Sequence, residues 1–166
     1  MPGLGRPDGS DHSAGEYTLE DLLGGVIEAL SAELVDVDLS VQEGLLFTGD
    51  HAQLQLLSQN RLANASKYRA PGRPLVIVVH GQDAGSETIV HVDDTGIGFA
   101  PEETERIFDL RVRGERVGDV PGLGLGLATC RSIVEHHGGT IEAQPRAEGG
   151  SRFTVRLPHR VLGVER

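Results

Sequence analysis

The chain has 166 residues, 38% of them hydrophobic and only 4% aromatic, with no tryptophan and a formal net charge of −10 at pH 7. That length suits one domain with a core of Leu, Val, Ile and Ala, and the single cysteine, Cys130, rules out an intramolecular disulfide framework and fits a reducing compartment. The acidic balance excludes the basic footprint of a nucleic-acid binder, and no apolar run approaches the ~18 residues of a membrane span, so a cytoplasmic domain without membrane contact is expected.

Residues 1–16 are rich in Gly, Pro, Ser and Asp without periodicity and read as a disordered leader or linker; 17–160 form the domain and 161–166 a tail. Thr18 opens a helix, with Asp21 three residues on as a capping-box variant. Leu19, Leu22, Leu23, Val26, Ile27 and Leu30 make its apolar stripe. Val35 to Val41 alternates and predicts a strand, and Leu45 to Thr48 a second. Asp50 with Gln53 starts another helix, which runs to about Tyr68 and is stopped by Pro71-Gly72-Arg73-Pro74. Leu75 to Val79 is a continuous apolar run, β-branched from Val76, and predicts a buried strand; the chain turns over Gln82 to Ser86 and returns from Glu87 to Asp94.

A short helix fits 101–108 after Pro101, and 109–121 is a long aperiodic loop. Gly124 to His137 predicts a helix with Leu127, Cys130 or Arg131, Val134 and His137 on one face and Gly138-Gly139 as its stop. Thr140 to Ala143 and Ser151 to Leu157 form a hairpin across Glu148-Gly149-Gly150. The order predicts an α+β fold: a two-layer sandwich with helices on one face of a mostly antiparallel sheet.

Three stretches carry chemistry. Asp94-Thr95-Gly96-Ile97-Gly98 ends a strand in a carboxylate, then turns on glycines that let the backbone approach a flat ligand. On the helix after Asp50, Asn60, Asn64 and Lys67 share one face, with Tyr68 at its edge. That face suits either plain solvation or a carboxamide oxygen on Mg²⁺ with an ammonium on phosphate. In Pro121-Gly122-Leu123-Gly124-Leu125-Gly126-Leu127, alternate glycines lead into a helix; the pattern serves as a hinge or as an anion cradle at a helix N-terminus.

In this order and spacing the stretches resemble the ATP-binding catalytic domain of bacterial sensor histidine kinases, in the GHKL group with Hsp90, gyrase B and MutL. Asn60 to Tyr68 resembles the N box, Asp94 to Gly98 the first glycine box, Ile107-Phe108 the F box and Gly122 to Leu127 the second glycine box. The resemblance covers roughly residues 18–158 and includes the final Gly-Ser-Arg-Phe-Thr-Val-Arg-Leu-Pro. Details of the Tyr68-Arg69 and Pro121 to Arg131 segments are similar to phytochrome-type and PAS-linked kinases. It implies a Bergerat-type fold and the cofactors ATP and Mg²⁺. It also implies a phosphoacceptor histidine on a separate dimerisation domain and a response regulator downstream.

By this resemblance Asp94 accepts a hydrogen bond from the adenine amino group, and Gly96, Ile97 and Gly98 line the base pocket. Asn64 holds Mg²⁺ with Asn60 beside it, Lys67 contacts phosphate, and Tyr68 covers the base or ribose. Asn60, Asn64 and Lys67 form the catalytic set. Gly122, Leu123, Gly124, Leu125, Gly126 and Leu127 wrap the phosphates; residues 109–121 form a mobile lid with Arg111, Arg113 and Arg116 as candidate phosphate contacts. Thr154 is a candidate for the adenine edge. Hsp90-like ATPases and anti-sigma serine kinases carry a Glu where Asn60 stands. An imidazole is already nucleophilic and needs no such base, so Asn60 favours the histidine-kinase branch.

The chain also departs from the family. None of the residues after its histidines is acidic, as the phosphoacceptor box requires, so the acceptor lies elsewhere, in a longer kinase or in trans. Arg61 and Ser66 stand at core-facing apolar positions of the N box, and Arg111 replaces an aromatic of the F box. A buried Arg61 must snorkel or find a carboxylate. The alternatives are a non-catalytic regulatory nucleotide-binding module, which Arg61, Ser66 and Arg111 favour, and a serine kinase, which Asn60 disfavours.

Overall fold

The computed structural model describes residues 15–108 and 123–159. The elements run β1 (Gly15–Thr18), α1 (Leu19–Ala29), β2 (Asp38–Val41), β3 (Leu46–Gly49), α2 (His51–Lys67), β4 (Val76–Asp83) and β5 (Glu87–Asp94), then two 3₁₀ turns (Pro101–Glu103 and Arg106–Phe108), α3 (Leu123–His136), β6 (Thr140–Pro145) and β7 (Ser151–Pro158).

Local chemistry starts α1 and α2. The Thr18 hydroxyl accepts the Asp21 N–H at 3.2 Å, and the Asp50 carboxylate accepts the Gln53 N–H at 3.2 Å. Both satisfy donors that a helix leaves open at its first turn. Helix α2 ends where the Tyr68 N–H reaches the Asn64 carbonyl.

Five strands form a sheet in the order β2-β4-β5-β7-β6, parallel only between β2 and β4, and β1 pairs with β3 in a separate ribbon. The strand period of two sends Ile77, Val79, Val90, Val92, Ile141, Ala143, Phe153 and Val155 toward the helices. There they meet Leu22, Leu23 and Val26 of α1, Leu54, Leu57 and Leu62 of α2, and Leu127, Cys130 and Val134 of α3. The other sheet face carries Val78, His80, His91, Asp93, Arg152 and Thr154. This is the predicted two-layer α+β sandwich.

Several boundaries differ from the sequence reading. Residues 15 and 16, assigned to the leader, begin β1, because their backbone finds Thr48 and Gly49 as partners. The strand expected from Val35 starts only at Asp38: the preceding residues turn, and Val35 is 82% exposed. The run after Leu75 is buried on one face only, since Val76 and Val78 point away from the helices. The single helix expected over 101–108 is two 3₁₀ turns, the first closed by the Glu103 carboxylate on the Ala100 N–H at 2.9 Å. On α3, Cys130 rather than Arg131 takes the core position.

Candidate functional site

The site is assembled where three chain segments meet: the last turns of α2, the loop after β5, and the turn between β6 and β7. The Ile97 N–H donates to the Tyr68 carbonyl at 3.0 Å, which ties the glycine loop to the end of α2. A Cβ at Gly96 would stand 2.6 Å from that same carbonyl, so only glycine permits the approach. Gly98 has φ +71 and packs on the Gly150 carbonyl. Gly150 in turn rests on the Asp94 carbonyl, which also accepts the Arg146 Nη1–H at 3.0 Å.

Asp94 is buried at the centre of this junction. Its Oδ1 accepts the Gly96 N–H at 2.8 Å, its Oδ2 accepts the Ser151 hydroxyl at 2.8 Å, and Arg61 Nη2 lies 3.7 Å from Oδ2. Thr95 pins the strand end, donating its hydroxyl to the Pro74 carbonyl and accepting the Val76 N–H at 2.8 Å. A buried carboxylate with both oxygens already engaged by fixed donors is an oriented hydrogen-bond acceptor.

Arg61 is therefore the residue that finds a carboxylate. Its side chain is 4% exposed, and its guanidinium stands 3.8 Å above the Phe153 ring centroid. Burial lowers its proton affinity, and the facing Asp94 raises it again. Phe153 meets Phe108 and Phe99 edge-on, with centroids 5.9 and 6.4 Å away, so the F-box aromatic joins the same cluster. Ser66, the other departure, donates its hydroxyl to the Glu33 carbonyl at 2.9 Å. Its polarity is thereby absorbed in the α1–β2 connection.

Asn60 and Asn64 are half-buried on the flank of the core stripe of α2, and Lys67 is exposed one turn beyond. Tyr68 and Ile97 are half-buried where the loop meets the helix. Gly126 has open space around it on α3. Gly122 and the expected lid, with Arg111, Arg113 and Arg116, lie outside the described residues; Leu123, Gly124 and Leu125 form the first turn of α3.

Two expectations are corrected. Thr154 does not reach the site: it lies on the opposite sheet face, 2.9 Å from His91 Nδ1. The side chain that reaches Asp94 is Ser151, its partner in the β5–β7 register, and three residues along a strand inverts the face. The sequence signal was the position directly after Gly149-Gly150. Leu127 is 2% exposed within the core, so its side chain serves packing. Cys130, a predicted buried thiol, lies 3.8 Å from the Leu57 carbonyl, and burial pushes its pKa up to about 11.

No group of three or more His, Cys, Asp or Glu side chains suited to a metal occurs among the described residues. Asn60 and Asn64, one helical turn apart and half-buried, fit Mg²⁺ held by few protein oxygens. No helix among the described residues is long and apolar enough to cross a membrane.

Comparison with known proteins identifies the family. Residues 49–161 match the family described as histidine kinase-, DNA gyrase B-, and HSP90-like ATPase. Over 143 residues the chain is 40% identical to the sensor protein KdpD of Escherichia coli, covering 85% of this chain and 16% of that protein. It is 35% identical over 115 residues to the sensor protein SrrB of Staphylococcus aureus, covering 68% of this chain and 19% of the relative. The chain thus spans less than a fifth of the length of these relatives.

Among solved structures, the mycobacterial sensor histidine kinase MprB superposes with a TM-score of 0.76 at 24% identity, covering 89% of this chain and all of that one (100%). The catalytic domain of the histidine kinase ThkA superposes at 0.73 and 26% identity, covering 87% and 95%. The chain belongs to the histidine kinase-, DNA gyrase B- and HSP90-like ATPase family, as a domain of the ATP-binding catalytic type found in sensor histidine kinases.

Proposed function

We propose that this domain binds Mg-ATP and presents the γ-phosphate to a histidine on a separate dimerisation and phosphoacceptor domain, from which an aspartate of a response regulator is phosphorylated. The observation that carries the reading is the buried, pre-oriented Asp94 carboxylate beside the half-buried carboxamides of α2. Asp94 offers acceptors to the adenine amino group, and Gly96, Ile97 and Gly98 flank the base. Asn64, with Asn60 beside it, would hold Mg²⁺, which when bound neutralises phosphate charge; Lys67 adds a cation from the same face. Tyr68, whose carbonyl accepts the Ile97 N–H, would cover the base or ribose.

Phosphoryl transfer asks little covalent chemistry of the protein, so positioning and electrostatics carry the rate. Asn60 in place of a carboxylate offers no base at that position to activate water, and slow hydrolysis by the isolated domain follows. Isothermal titration of a non-hydrolysable ATP analogue, with and without Mg²⁺, on the wild type and Asp94→Asn tests the reading. Magnesium-dependent binding that the variant loses supports it. A folded wild type that binds nothing at millimolar nucleotide overturns it.

The charged Arg61 in the core of the N-box helix supports a second reading, a nucleotide-binding module that regulates a partner without transferring phosphate. Binding without transfer to any acceptor histidine distinguishes it.

A further inference from the structure

We propose that Arg61 is a positioning residue for base recognition, a buried counter-ion that fixes the Asp94 carboxylate and sets the preference for a base bearing an exocyclic amino group. The inference rests on the nucleotide reading of Asp94 and adds a residue outside the set drawn from the family's boxes.

The surroundings of Arg61 make a purely structural role a poor fit. Its side chain is 4% exposed, and its Nε and Nη2 are buried without any hydrogen-bond partner. What holds the guanidinium is the Asp94 carboxylate at 3.7 Å and the Phe153 ring at 3.8 Å. With Leu57, Leu62, Val92 and Val155, Arg61 lines a core cavity of about 50 Å³. A leucine would fill this space with no desolvated charge. The cation therefore acts on the carboxylate that faces it among the described residues, Asp94.

The arrangement restrains Asp94 from three sides. The Gly96 N–H holds Oδ1, the Ser151 hydroxyl holds Oδ2, and Arg61 draws Oδ2 from the helix side. Phe153 is itself wedged between Phe99 and Phe108, so the guanidinium has a fixed seat. When a base covers Asp94 and excludes the remaining water, the guanidinium 3.7 Å away keeps the carboxylate from turning off the base. A base that donates an amino hydrogen gains from that acceptor, and a base without one does not.

The test measures base discrimination, which core packing alone would not move. Affinities for an ATP analogue and for the matching triphosphate of purine riboside, which lacks the 6-amino group, are compared by calorimetry. The proteins are the wild type, Arg61→Met, Arg61→Lys and Asp94→Asn. The wild type is expected to prefer the amino base by about tenfold or more. Arg61→Met should lose most of that preference, chiefly through weaker binding of the amino base, and Arg61→Lys should keep a good part of it. A folded Arg61→Met with unchanged preference overturns the proposal. If Asp94→Asn keeps the preference, the reading of Asp94 itself fails, and the proposal with it. If Arg61→Met does not fold, Arg61→Gln, which is shorter but keeps hydrogen-bond donors without the charge, takes its place. Failure of both to fold assigns Arg61 to stability alone and also overturns the proposal.

Discussion

The imidazole of His137 accepts the backbone N–H of Asp50 on Nε2 at 3.0 Å, while its Nδ1 donates to the Ile133 carbonyl at 2.8 Å. One buried side chain thus joins the end of α3 to the start of α2, the helix that carries Asn60 and Asn64. The pair of bonds requires the neutral ring with its proton on Nδ1. His137→Phe would keep the ring volume and leave the Asp50 N–H without this acceptor. The expected loss is about 1–3 kcal/mol in urea denaturation. Nucleotide affinity should change little once the variant is measured well below its unfolding midpoint.

The contrast between Ser151 and Thr154 gives a second prediction. Ser151→Ala removes the hydroxyl that donates to Asp94 Oδ2 and leaves the carboxylate freer to turn. A drop of about fivefold to tenfold in ATP-analogue affinity is expected, corresponding to roughly 1 kcal/mol for one buried hydrogen bond. Thr154→Val, on the other sheet face beside His91, should leave affinity unchanged. The reverse result in a calorimetric titration would place the base on the wrong side of β7.

These two residues also mark how far the sequence could be read. The layers, the helix caps at Thr18 and Asp50, the glycine loop and the core stripe of α1 follow from local chemistry, and the structure has them where periodicity and capping predict. What the sequence leaves unresolved is register and face. Placing Thr154 at the base requires knowing which residue of β7 opposes Asp94, and that register joins two strands far apart in the sequence. The 35–37 segment alternates like a strand, yet Val35 lies exposed in a turn because pairing partners, not pattern, make a strand. Arg61 was legible as a misfit, and only the tertiary structure shows that its partner is Asp94.

The outer sheet face predicts how stability follows pH. Burial would raise the Asp93 carboxyl, but hydrogen bonds from Arg152 at 2.7 and 2.8 Å and from His80 at 2.9 Å outweigh it and hold its pKa at about 2. A depressed carboxylate contributes stability above its ordinary value near 3.8, and that contribution is lost as pH falls toward about 2. His91, 5.1 Å from the His80 ring, is lowered from 6.5 by burial and by the nearby Arg152 and His80. The fold therefore prefers it neutral, and stability declines as pH falls below 6.5, where the unfolded chain takes up the proton first. Asp93→Asn should cost about 1–2 kcal/mol at pH 7, allowing for the partly exposed partners, and almost nothing near pH 2. Denaturant titrations across pH 2–7 on both proteins check the convergence.

Glycine substitutions separate conformational strain from steric contact, and they probe the site's scaffold without removing a polar side chain. Gly44 and Gly150 both have positive φ, +84 and +87. A Cβ at Gly44 meets nothing within 4 Å, whereas one at Gly150 would overlap the Asp94 carbonyl oxygen. Gly44→Ala should therefore cost only the left-handed backbone penalty, about 1–2 kcal/mol. Gly150→Ala carries the same penalty and must also displace the strand end that presents Asp94, so a loss above about 2 kcal/mol is expected. It should weaken nucleotide binding as well, because the displaced backbone belongs to the residue that receives the base. Thermal unfolding ranks the two stabilities, and calorimetry with an ATP analogue reads the site. Equal stability losses with equal affinities would mean that the β6–β7 turn does not support Asp94.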